Sequence, residues 1–132
     1  MIDSLLKNKF ANDFSIHEHG FCSLSLEDGY TISIETLCRF ISNDGKFISS
    51  SDHGHQFGLP APFNAAQAIK EQIHKKKIIN IEVKNDTGDL ILFFENGRLE
   101  IICSSSGYEC YQLNGPDNLI IVGRGGPASF VP

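Results

Sequence analysis

The sequence predicts an α+β fold, mostly antiparallel β-sheet in two hairpin-containing halves packed with one amphipathic helix. Three observations lead there. Apolar or alternating runs recur on either side of Asp28-Gly29, Asn43-Asp44-Gly45 and Asn96-Gly97, dipeptides whose tolerance of positive φ makes them hairpin turns. A single stretch switches to helical spacing: Phe63, Ala66, Ile69 and Ile73 fall on one face. The chain has 132 residues, 41% of them hydrophobic and 20% charged, which suits one globular domain spanning residues 1–132.

In chain order, Asp3 or Ser4 can cap a short first helix carrying Leu5, Leu6 and Phe10 on one side. Phe14–His19 and Phe21–Leu26 read as strands divided by Gly20, and Thr31–Glu35 alternates with Ile32 and Ile34 inward. Phe40-Ile41 and Phe47-Ile48 flank the next turn. Ser49–Pro62 has no periodicity and predicts a surface loop, anchored to the core by Phe57 and Leu59. Asn64 is placed to cap the main helix, with Gln67 as its capping-box partner, and Lys75, Lys76 and Lys77 suit the helix's negative end. Ile78–Val83 predicts a strand, and Gly88–Gly126 a meander of three or four more. An internal echo joins the two halves. CSLSLEDGYTISIE and LILFFENGRLEII each carry strand, acid, turn and strand, each after another strand candidate.

Charge bounds the partners. The formal net charge is −5, which speaks against nucleic acid, whose phosphates call for a basic patch. Between Phe10 and Ile69 seven acids face two bases, Arg39 and Lys46, so this segment predicts an acidic surface fitted to a basic protein. No apolar run approaches the roughly 20 residues of a membrane span, and the N-terminus lacks the apolar core of an export signal. The expectation is a cytoplasmic protein in which Cys22, Cys38, Cys103 and Cys110 stay reduced.

Chemistry-bearing patterns are few. His17-x-His19 on one strand face and His53-Gly-His55 in a loop offer ligands for a metal ion, and so an alternative reading as a metal-binding or metal-dependent hydrolytic domain. No Gly-x-Ser-x-Gly elbow or phosphate loop occurs. The carboxylate pairs Glu27-Asp28 and Glu95 with Glu100 fit solvated turns better than acid–base catalysis. No catalytic residue and no cofactor is expected. Tyr108-Glu109-Cys110-Tyr111 predicts a strand with Tyr108 and Cys110 on one face, Glu109 and Tyr111 on the other. Tyr108, Glu109 and Tyr111 make a candidate contact patch, beside the acidic candidates Glu18, Glu27, Asp28, Asp44 and Asp52.

The run DLILFFENGRLEI, then GYECYQLNGP, LIIV and GRGG, resembles a family of small bacterial proteins. Their pattern is a strand, Asp/Asn-Gly, a strand, Tyr-Glu-x-aromatic, Gly-Pro, a short apolar strand and Gly-Gly. Tyr111 stands where that family commonly has Trp, and LEDGYTISIE and FGLPAP match more loosely. Members are often encoded beside polymorphic or contact-dependent toxins. The resemblance therefore implies a cytosolic immunity protein that binds one cognate toxin domain and blocks it. Bacterial toxin domains that attack nucleic acid tend to be basic, which an acidic inhibitor would complement. An exposed strand edge offers β-augmentation as a second mode.

Overall fold

The computed structural model describes residues 2–126 and 130–131. Among the described residues eleven strands form two sheets, and every pairing between named strands is antiparallel. The first sheet contains β1 (Ala11–Ile16), β2 (Cys22–Leu26), β3 (Thr31–Ile34), β9 (Glu109–Gly115), β10 (Leu119–Arg124) and β11 (Phe130–Val131), adjacent in that order. The second runs β5 (Phe47–Ser49), β4 (Cys38–Ser42), β8 (Gly97–Ile101), β7 (Leu90–Phe94) and β6 (Asn80–Val83). Their inward faces share one core, where Leu24, Ile32 and Ile34 meet Phe40, Leu92, Leu99 and Ile101, all fully buried.

The expected α+β class is what forms, and its main helix is α2 (Ala65–Ile73). Asn64 Oδ1 accepts the Gln67 N–H at 3.0 Å, while the Gln67 side chain turns to Glu71 and leaves the capping box half made. Ile69 and Ile73 are buried where α2 lies against β1, with further contacts to β5 and β4. The first helix, α1 (Ile2–Leu6), is shorter than its spacing suggested. Asn8 takes φ 71° and ends it. Phe10 therefore leaves the helical face and stands 42% exposed, bridged to Lys77.

The echo between the halves is a repeat of topology. α1 followed by β1–β5 and α2 followed by β6–β10 each give a three-stranded meander in one sheet, then a hairpin in the other. Consequently β3 pairs with β9, and β8 with β4. The stretch from Gly88 to Gly126 is thus two hairpins on opposite sheets, not one meander. Where the two post-helix segments cross, their hydrogen bonds come in matched pairs. Asn8 N–H donates to Ile78 O and Lys75 N–H to Ala11 O, at 2.7 and 2.8 Å. Ala11 N–H donates to Lys76 O and Ile78 N–H to Lys9 O, both at 2.9 Å. Asn8 and Lys75 share the left-handed conformation, φ 71° and 60°.

Two further expectations are corrected. Phe57 and Leu59 do not anchor their loop; they are 66% and 45% exposed. Glu100 is no solvated turn residue. It lies in β8, 8% exposed, 2.6 Å from Arg39 Nε and 2.9 Å from Arg98 Nε. Alternation also fails at Cys110. The β9–β10 register shifts between Gly123, opposite Tyr111, and Arg124, opposite Glu109. The extra residue of this bulge turns Cys110 and Tyr111 both inward.

Candidate functional site

Antiparallel pairing sends the β1–β2 turn, the β3–β4 crossover and the exit of β5 to the same end of the molecule. A cleft of about 390 Å³ opens between them. Its lining includes His17, His19, His53, His55, Glu18, Glu35, Thr36, Phe21 and Ser50. Both sequence-predicted histidine pairs therefore reach one cleft. Both His17 and His19 arrive there past the end of β1, in the connection to β2, and not side by side on a strand face as expected. His17 Nε2 lies 3.0 Å from Ser23 Oγ, and His53 Nδ1 accepts the Ala66 N–H of α2 at 3.4 Å. Among the described residues, no three His, Cys, Asp or Glu side chains stand close enough together to hold one metal ion. The metal reading thus lacks a preformed ligand set there.

The other repeat shows how such an end can be sealed. There Asp89 Oδ1 accepts the Cys103 N–H at 2.7 Å, joining the β6–β7 turn to the β8–β9 crossover. Gly126 N–H donates to Thr87 O at 2.9 Å, drawing the exit of β10 onto the same turn. In the first repeat the exit of β5 instead turns away through Ser50–Asp52 and a long loop to Asn64. The cleft is what that departure leaves open.

Charge collects at this end. Glu18, Glu35, Asp52, Asp86, Asp89 and Glu109 lie in or beside its turns and crossovers, against Lys84 and Arg124. Burial, together with repulsion from the nearby Glu109 carboxylate, pushes the Glu35 carboxyl up from its ordinary range. Thr36 Oγ1 on the cleft wall is buried without a hydrogen-bond partner. Behind the wall, the Cys38 and Cys22 sulfurs are 3.9 Å apart. That contact and burial raise the Cys38 thiol well above its ordinary value. All four cysteines are free.

Large side chains are exposed at the same end. Tyr108 is 76% and Phe21 49% exposed, and the exposed Phe57 ring stacks on His55 at 5.4 Å. Tyr111 is different. It is fully buried, so it belongs to the core and takes no part in the expected Tyr108–Glu109 patch. Nor do the acidic candidates form one surface. Glu18 and Asp52 lie at the cleft end, whereas Glu27, Asp28 and Asp44 occupy turns at the opposite end. There Asp28 pairs with Lys9, Glu27 accepts the Phe10 N–H, and Asp44 accepts the Ser42 hydroxyl. That opposite end also carries Lys7, Lys46, Lys75, Lys76 and Lys77. Glu35 is not singled out among the seven acids of its segment, because a β3–β4 crossover cannot be told from a hairpin in one dimension, and Phe21 reads only as part of the second strand candidate. No helix among the described residues is long and apolar enough to cross a membrane. No protein-family model, curated protein or solved structure matches the chain.

Proposed function

We propose that this chain is a binding protein that occupies a basic protein partner with the cleft end of its two-sheet scaffold. In the cell this is the work of a cytoplasmic immunity protein blocking a cognate toxin domain, the role implied by the Tyr-Glu-x-aromatic and Gly-Pro resemblance. One observation carries the reading: exposed Phe21 lines one cleft with the carboxylates Glu18 and Glu35 and with His55, on which the exposed Phe57 ring stacks, and exposed Tyr108 lies in the β8–β9 crossover at the same end. Aromatic anchors ringed by charge are how protein interfaces concentrate their binding energy. Glu18, Asp52, Tyr108 and Glu109 belong to this surface, and Glu27, Asp28 and Asp44 do not.

Co-purification with the product of the adjacent gene tests it, followed by titration of the isolated pair. Tyr108→Ala with Phe57→Ala should weaken the complex by at least about tenfold, and affinity should fall as salt is added. Asp28→Lys with Asp44→Lys, at the far end, should leave affinity within about twofold. The assignment fails if the far-end pair abolishes binding while the aromatic pair does not.

A further inference from the structure

We propose that Cys22 and Cys38 are a redox modification site, where a peroxide forms a reversible disulfide that staples the two sheets together behind the cleft. The two sulfurs are 3.9 Å apart, with the Cys38 thiol donating to Cys22 Sγ. Cys22 opens β2 of the first sheet and Cys38 opens β4 of the second, so the bond would join two sheets that share no strand pairing among the described residues. A disulfide needs roughly 2 Å between its sulfurs, and the pair must close by about as much again. Position favours that movement. Each cysteine is the first residue of its strand and follows a connection that lies outside the strands, so neither is held by a ladder on both sides.

Both thiols are buried, yet they lie one residue behind the cleft. Phe21 and Leu37, their preceding neighbours, line it, and so does Ser50, whose Oγ accepts the Cys38 N–H at 3.0 Å. The Cys22 thiol in turn donates to the carbonyl of Gly20, another lining residue, at 3.7 Å. Hydrogen peroxide is uncharged and little larger than water, so a slight local opening of this wall admits it. One sulfur, as its thiolate, attacks a peroxide oxygen and breaks the O–O bond. A sulfenic acid forms, and the departing hydroxide takes up the thiol proton as water. The second sulfur then attacks the sulfenic sulfur, the S–O bond breaks, and a second water leaves with the remaining proton. Two electrons pass from the sulfurs to peroxide, and a dithiol reductant reverses the step. The cross-link closes a loop between positions sixteen apart, which removes freedom from the unfolded chain. The oxidised form should therefore be the more stable. This chemistry does not depend on which partner the cleft end binds.

The test uses the purified full chain, reduced and then treated under native conditions at neutral pH with stoichiometric hydrogen peroxide. After unfolding and alkylation with N-ethylmaleimide, two of the four cysteines should carry adducts instead of all four. Cleavage after Glu27 and Glu35, between the two cysteines, should release a linked pair of peptides holding Cys22 and Cys38, which dithiothreitol separates. Oxidation should raise the urea midpoint of the wild type and of the Cys103→Ser, Cys110→Ser double variant, which retains the pair. Cys22→Ser should lose that rise. The wild-type peptide map decides the matter even where a variant fails to fold. Four adducts after peroxide overturn the proposal. So does a Cys103–Cys110 or intermolecular bridge in place of this one, or sulfinic acid at Cys22 or Cys38 without a bridge.

Discussion

Gly123→Ala isolates a contact on which the first sheet depends. Gly123 lies in β10 directly opposite Tyr111 of β9, and a methyl group there would come within 3.0 Å of three Tyr111 ring atoms. The ring cannot swing away, because Tyr111 is fully buried by the core. The φ of Gly123 lies outside the left-handed region, so the cost is steric alone. Overpacking of this kind costs about 1–3 kcal/mol, and the rigid neighbour places this case near 3 kcal/mol. Tyr111→Ala should cost about 3–5 kcal/mol through the cavity it leaves. In that background Gly123→Ala has space to occupy and removes freedom from the unfolded chain, so it should be neutral or stabilising by up to about 1 kcal/mol. Urea unfolding followed by far-UV circular dichroism measures all four proteins of the cycle. A change of sign between backgrounds is the expected result. Additive effects, or a harmless Gly123→Ala in the wild type, would refute the packing argument.

Two further outcomes follow from the fold. At Glu100 burial opposes the charge, but Arg98 and Arg39 outweigh it and hold the carboxyl below its ordinary value. A depressed folded pKa contributes stability above the unfolded value of about 4.3, and that stability is lost as pH falls through the folded value. Glu100→Gln should therefore cost about 1–3 kcal/mol at pH 7 and flatten the decline of stability between pH 5 and 3. Parallel pH curves for the two proteins would refute it. Residues 1–63 alone deprive β3 of β9 and β4 of β8. They should not give the dispersed NMR spectrum of a folded monomer, and such a spectrum would show that the halves are independent.

The elements that were legible in the sequence were those specified by neighbours in the chain. Asp28-Gly29, Asn43-Asp44-Gly45 and Asn96-Gly97 each close a hairpin where their backbone preferences place one. The inward set of β3, Ile32 and Ile34, followed from period-two alternation, and Asn64 from capping chemistry. Readings failed where a residue's environment came from far along the chain. Phe57 and Leu59 are apolar and sit between turns, yet nothing in the fold passes over them. Tyr111 reads as a surface residue in the sequence, because the bulge that turns it inward exists only in the register between β9 and β10. The histidine pairs were visible as spacing. That they face one cleft depends on the β5 exit departing from the path its counterpart takes.

The sequence by itself determined the class, the hairpins, the capped helix and the echo of one half in the other, since each is written in contacts a few residues apart. Only the tertiary structure decided that each half lends a hairpin to the other's sheet. It also divided the acidic residues between two ends and gathered Glu18, Glu35 and the two histidine pairs around one opening. Those outcomes depend on pairings across more than half of the chain's length, such as Thr31 opposite Asn114. No local preference encodes such a pairing; burying both apolar faces at once selects it.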